Sequence, residues 1–220
     1  MNELTNVDQS YSTELVRKAI HLCSLSIPVV YYFIPKSTAL WILIPLTGAF
    51  LIADVARFLH PAAKKLFYSL FGWLLRAHER SDGAMHLTGA TYVLLSATIC
   101  VWLFPKLITV TSFAILIISD SSAALIGRKF GTHRFLKKTR EGALAFYVSA
   151  LIVVAVTPKV AYVPLEYAIG AVAAMVGTFA ESLSILVDDN LTIPLAIGTS
   201  LWLMYILLLP SLNVFALEIS

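Results

Sequence analysis

The sequence predicts an all-α protein, a polytopic bundle of about seven transmembrane helices with one further helix lying along the membrane surface and the N-terminus in the cytoplasm. Three observations carry this expectation. Of 220 residues, 59% are apolar and only 13% are charged, against about a quarter charged in an ordinary soluble domain. The mean hydropathy is +0.83, more apolar surface than one domain of this length can hide from water. The 16 basic residues are also distributed asymmetrically between the turns, as the positive-inside rule requires. A water-soluble globule is thereby excluded. So is a nucleic-acid partner, because the basic residues punctuate apolar stretches instead of forming one face.

A helix needs about 20 predominantly apolar residues to cross the hydrocarbon. Runs of this kind lie near 15–35, 38–59, 88–104, 107–127, 141–157, 165–187 and 193–217. Between the second and third, in the stretch 62–79, Leu66, Phe67, Leu70, Phe71 and Leu74 recur at helical spacing opposite Lys64, Lys65, Ser69 and Arg76, the pattern of an interfacial amphipathic helix. With the N-terminus inside, thirteen basic residues fall in cytoplasmic segments and only Lys36, Lys106 and Lys159 fall outside, which puts the C-terminus outside. The polar stretch 1–13 reads as a tail. The apolar run after it has no small-residue cleavage pattern, so the first span is expected to be retained. No internal repeat is visible, and residues 1–220 are expected to form one membrane-embedded catalytic domain. Cys23 and Cys100 lie far apart in apolar stretches with no metal-ligand spacing, and read as small buried hydrophobes.

Four polar clusters fall where solvation by lipid would be costly. Glu14, Arg17, Lys18 and His21 share one face at the start of the first span, either as a snorkelling anchor or as part of a site, with His21 the deepest. Asp120 ends an apolar run in the fourth span, and Ala123, Ala124 and Gly127 follow on its face, where small residues let another backbone approach. Pairing with an arginine such as Arg57 would satisfy this carboxylate, but an intramembrane carboxylate reads first as functional. The segment 128–140, with Arg128, Lys129, Arg134, Lys137, Lys138 and Arg140 and no acid, leads into Glu141 and Gly142. As a topology signal it needs no ligand. Feeding a helix N-terminus, it reads as a flexible phosphate clamp. Glu181, Ser184 and Asp188 share a face of the sixth span and are followed by Asp189 and Asn190. Mutually repelling carboxylates at one helix end make sense around a cation, and oxygen donors of this type suit Mg²⁺.

All four clusters lie on the cytoplasmic side in this orientation, so metal ligands and a phosphate clamp are expected together, the chemistry of nucleotide-dependent transfer. A P-loop is absent: Gly127 and Gly131 lead into Thr132 and His133 instead of a Gly-Lys-Ser/Thr ending. A nucleotide would therefore bind on a membrane scaffold.

The stretches ELVRKAIHL at 14–22, HLTGATYVLLS at 86–96, SDSSAALIGRKFGTHRFLKKTREG at 119–142 and ESLSILVDDNLTIPLAIG at 181–198 resemble the CTP-dependent polyprenol kinase family, which comprises dolichol kinase, phytol kinase and CTP-dependent diacylglycerol kinase. The Asp120 segment also resembles the related CDP-diacylglycerol synthases. The Asp188-Asp189-Asn190 run with Pro194 is similar to the kinases, and the long glycine-bearing signature that closes the synthases is missing. The resemblance implies transfer of the γ-phosphoryl group of CTP, with Mg²⁺, to the hydroxyl of a membrane lipid alcohol such as a polyprenol, dolichol, phytol or diacylglycerol.

By position, the resemblance makes Asp120, Glu181, Asp188 and Asp189 metal ligands or groups that orient the acceptor. Arg128, Lys129, Lys137, Lys138 and Arg140 would bind phosphate. Position 140 departs from the kinases, where a neutral residue is common. Glu141 would support the loop through a Lys or Arg, beside Gly142, and Asn190 would position a metal-bound oxygen. Asp120 is the first choice for accepting the hydroxyl proton, with Asp188 as the alternative and His21 beside them. Two rivals predict different things. A phosphatidate cytidylyltransferase would form a CDP-lipid, and a small ion-coupled transporter would spread polar residues through the whole membrane depth. The outside turns Pro35-Lys36, Pro105-Lys106 and Pro158-Lys159 are sparse, which favours a catalyst. The short chain points to a prokaryotic plasma membrane. The sequence fixes neither the oligomeric state nor the acceptor alcohol.

Overall fold

The structure, a computed structural model, describes residues 15–72, 87–183 and 188–216. Glu14, Leu74, Arg76 and Ser184 of the predicted clusters lie outside them. The helices are α1 (15–23), α2 (Ser26–Phe33), α3 (Lys36–Leu59), α4 (Pro61–Phe71), α5 (Gly89–Leu103), α6 (Lys106–Phe130), α7 (Arg140–Val156), α8 (Pro164–Leu183) and α9 (Asp189–Leu208). Helices dominate as expected. The exception is a short antiparallel pair, β1 (Arg134–Phe135) with β2 (Lys138–Thr139), in the register Arg134 to Thr139 and Phe135 to Lys138. The basic loop is thus a hairpin and not an irregular strap, with Leu136 at its tip in the left-handed region (φ 55°).

The predicted apolar runs are helical over most of their described length, the seventh only as far as Leu208. Among the described residues, three helices, α3, α6 and α9, are long and apolar enough to cross a membrane by length and composition. Helix α5 has 15 residues, about 22 Å of rise against a hydrocarbon core of about 30 Å. The first run is broken at Ser24 and Leu25. Pro28 has no N–H for the Ser24 carbonyl, which accepts from Ile27 instead, while Ser24 and Leu25 close tight bonds to His21 and Leu22. The seventh run begins earlier than its hydropathy indicates, because the Asp188 carboxylate caps α9 by accepting from the Asn190 N–H at 2.9 Å.

Helix α6 is the axis of the bundle. From Lys106 to Ile117 it is buried throughout, packing on α7 along its length and also on α2, α5, α8 and α9. The crossing of α6 with α7 is built from glycine. A Cβ at Gly142 would stand 2.9 Å from Thr139 Oγ1, 3.1 Å from the Ala123 carbonyl and 3.3 Å from the Gly127 Cα, so the small face of α6 serves backbone approach to α7. The buried face of α8 (Gly170, Ala173, Ala174, Gly177) does the same against α7 and α9. Outward-facing Phe33, Trp41, Ile52, Trp102, Ile152, Val156 and Leu207 are all more than 60% exposed. An apolar exterior of this extent belongs in lipid, and the chain is an integral membrane protein. Over Pro61–Phe71 helix α4 is amphipathic as expected, with Leu66 and Leu70 outward and Phe67 turned toward Arg57, and the rest of the expected stretch, 73–79, lies outside the described residues.

Candidate active site

Antiparallel packing brings the start of α1, the ends of α3, α6 and α8, the starts of α5, α7 and α9 and the β hairpin to one end of the bundle. Asp120 is buried there. Its partner is not Arg57 but Lys18, whose Nζ lies 2.5 Å from Oδ2, with His21 Nε2 at 3.6 Å from the same oxygen. Arg57 is held on its own helix by Asp54 at 3.1 Å, because residues three apart on α3 face each other. Lys18 and His21, one turn apart, both reach Asp120 because α1 packs over the end of α6.

Glu181 and Asp189 approach from the other side, bridged by a single cation. Lys138 Nζ lies 2.8 Å from Glu181 Oε1 and 2.8 Å from Asp189 Oδ2. The hairpin makes this possible, since its β register directs Lys138 inward and the Lys137 N–H binds the Ser182 carbonyl at 3.3 Å. Burial works against the Lys138 charge, but Asp189 and Glu181 outweigh it and hold the ammonium up at about 12.

A cavity of about 540 Å³ joins these groups. Asp120, Glu181 and Asp189 line it together with Arg17, Lys18, Arg128, Lys138, Thr139 and Gly142. Of the basic residues expected to grip phosphate, Arg128 and Lys138 border this cavity. Lys129, Lys137 and Arg140 are exposed and do not: Lys129 lies over the Phe130 ring, and Arg140 points out from the first turn of α7. That turn does border the cavity, but Thr139 already takes the Gly142 N–H at 3.2 Å. Glu141 supports the hairpin, though not through Lys or Arg. It accepts from Thr132 Oγ1 at 2.8 Å and lies 3.0 Å from His133 Nδ1. Asp188 does not line the cavity; its Oδ1 is engaged by the Asn190 N–H and, at 2.6 Å, by Asn190 Nδ2.

Among the described residues, no three His, Cys, Asp or Glu side chains cluster closely enough to hold a metal ion by themselves. The carboxylates expected to gather round a cation gather instead round Lys18 and Lys138. The donor chemistry still suits magnesium arriving with a nucleotide, since Mg²⁺ takes one or two carboxylates plus phosphate oxygens and water, and Asp120, Glu181 and Asp189 offer hard oxygens to one open space.

A second cavity, about 570 Å³, adjoins the first between α1, α3, α4 and α5 and shares Arg17, Lys18 and Asp120 with it. His21 and Asn190 line this one. One wall is braced by Asp54, which sequence reasoning passed over. Its Oδ2 accepts from the Thr88 N–H (2.8 Å), Thr88 Oγ1 (3.1 Å) and Thr91 Oγ1 (2.6 Å), and Arg57 stacks over Phe58 and Phe67. The available signal was an Asp and an Arg three residues apart inside an apolar run.

A buried carboxylate between two cavities, ringed by cations at one end of a lipid-exposed bundle, defines a membrane protein with a polar site on one side. The chain is 30% identical over 190 residues to the uncharacterized protein RP860 of Rickettsia prowazekii, covering 86% of this chain and 93% of that one, and it belongs to the family of that protein. It is also distantly similar to CTP-dependent diacylglycerol kinase 1 of Schizosaccharomyces pombe, 27% identical over 165 residues, 68% of this chain and 73% of the yeast protein. No family model and no solved structure matches it.

Proposed function

We propose that the protein is a CTP-dependent lipid kinase that transfers the γ-phosphoryl group of CTP to the hydroxyl of a membrane lipid alcohol, with its active site facing the cytoplasm. The observation that carries this reading is one cavity lined by the Asp120, Glu181 and Asp189 carboxylates and by Arg128 and Lys138. The distant similarity to a CTP-dependent diacylglycerol kinase supports it.

In this reading Arg128 and Lys138 take the phosphate oxygens, and Lys138 exchanges part of its bridge to Glu181 and Asp189 for the triphosphate. Asp120 faces the acceptor and takes its hydroxyl proton as the alcohol oxygen bonds to the γ-phosphorus. The bond from that phosphorus to the β-bridging oxygen breaks, and its electron pair leaves with CDP. Magnesium, held by Asp120 with Glu181 or Asp189, would neutralise charge on the phosphate oxygens. Such transfer asks the protein chiefly for positioning and electrostatics, which fits side chains already paired and fixed by packing. Lys18 and His21 keep Asp120 oriented and ionised beside the acceptor.

The test supplies purified protein with CTP labelled at either the α or the γ position and a panel of lipid alcohols and phosphatidate. Label from the γ position in lipid is expected. Label from the α position in lipid would replace the reading with cytidylyl transfer, and no labelled lipid from either would remove both.

A further inference from the structure

The 570 Å³ cavity has a polar end and an apolar body. The polar end carries Arg17, Lys18 and Asp120, the three residues shared with the cavity assigned to the triphosphate, together with His21 and Asn190. The body is formed by Ile20, Ala49, Phe50, Ala53, Phe67 and Val93. Ile20 and Phe50 are themselves 47% and 39% exposed on the apolar exterior, so this side of the cavity lies at the surface that faces lipid. We infer that this cavity is the acceptor chamber: it takes the hydrocarbon chain of the lipid alcohol from the bilayer and brings the hydroxyl to Asp120. The inference rests on the kinase reading and deepens it.

Three further observations fit this occupant. An apolar space of this size beside a buried carboxylate gains from being filled by hydrocarbon, and a chain entering from the Ile20 and Phe50 side would end at Asp120, a carboxylate that lines both cavities. Lys18 pairs with Asp120 at that end, so the hydroxyl meets a compensated carboxylate and not a free anion. Asp54 is held by Thr88 and Thr91 through Oδ2 and paired with Arg57 through Oδ1. This constellation therefore acts as a brace that keeps the start of α5 against α3 and holds the chamber open, and its residues are positioning residues for the wall.

The experiment uses the full chain in detergent micelles with γ-labelled CTP and three acceptors: phytol, a long polyprenol and diacylglycerol. Ala53→Phe and Ala49→Phe narrow the body of the chamber. Each is expected to raise the KM for the lipid roughly tenfold or more, to leave the KM for CTP unchanged and to shift preference toward shorter or slimmer acceptors. Phe50→Ala is expected to relax that preference. Should the filling variants not fold, photolabelling of the wild type keeps the question open to test. An aliphatic alcohol bearing a diazirine on its chain should mark peptides of α1, α3 and α5, and excess unmodified alcohol should compete.

Unchanged lipid KM in both folded filling variants, or label confined to α7, α8 and α9, would overturn the assignment. The two readings fail separately. If the wild type phosphorylates no alcohol, the kinase reading falls, yet competed label on α3 and α5 would keep the chamber. If phosphorylation is robust and these variants are silent, only the chamber falls.

Discussion

The two ends of the bundle use the same residue types for opposite purposes. At the Asp120 end, lysines pair with carboxylates across separate helices, and the pairs border open space: Lys18 with Asp120, and Lys138 with Glu181 and Asp189. At the other end Lys159 and Glu166 are just as buried, but the main chain consumes them. Lys159 Nζ donates to the Val154 and Thr157 carbonyls at 2.6 and 2.7 Å, closing the frayed end of α7. Burial pushes this ammonium below its ordinary value, with Glu166 opposing the shift. Glu166 accepts from the N–H groups of Val160, Ala161 and Val163 and from the Tyr205 hydroxyl. Neither borders either cavity. Lys106, read from sequence as an outside turn residue, is likewise buried, with its Nζ over the Tyr31 ring. Burial of charge therefore does not by itself mark a site in this chain.

The contrast is broken most directly at Asp120. Replacing Asp120 by Asn should lower transfer of γ-label by roughly 10²–10⁴-fold, while the protein remains folded in detergent. Turnover near wild type in that variant would return Asp120 to a purely structural role. Next in size is Lys138→Met, which leaves Glu181 and Asp189 facing each other uncompensated. The KM for CTP is expected to rise roughly tenfold, a figure kept modest because Lys138 is partly exposed, and Lys138→Arg should recover part of the loss.

Glu166→Gln should behave in the opposite way. It removes one of the two acceptor oxygens from part-buried N–H groups, at a cost of about 1 kcal/mol, so the unfolding midpoint falls while kcat/KM of the folded fraction stays unchanged. A loss of turnover without loss of stability would contradict the division between the ends. The pH dependence of the Lys138 bridge follows from its raised value. The stabilisation it confers is complete below the ordinary 10.5 and is lost as pH climbs through about 12. The KM for CTP should therefore show no break from this group between pH 6 and about 10. Arg140→Ala is the smallest expected effect, less than about threefold on the KM for CTP, because its side chain is exposed and borders neither cavity.

Much of the polar site was legible because its residues are intolerable in lipid without a reason. Asp120 after an apolar run, Glu181 on the small face of α8 and Lys138 ahead of a helix start each announce themselves by cost. Partner choice was not legible. Arg57 was the partner the sequence offered for Asp120, and only the crossing of α1 over the end of α6 gives that place to Lys18. The basic run also could not be divided into inward and outward residues, because that division depends on the hairpin register, a feature hidden in a segment with no apolar alternation. Asp188 was misplaced for a local reason: capping α9 turns its carboxylate toward Asn190. The cavity beside α3 and α5 left no motif, since its walls are ordinary Ala, Phe and Val.

The sequence by itself determined the solvent, the helical class and the end of the bundle on which charge collects, because hydropathy and charge are properties of residues and add along a chain. Tertiary structure alone decided which lysine neutralises which carboxylate, and it alone opened one polar and one apolar cavity onto the same aspartate. Those are properties of distance between segments about a hundred residues apart, and distance is set by how glycine and alanine faces let helices close on α6.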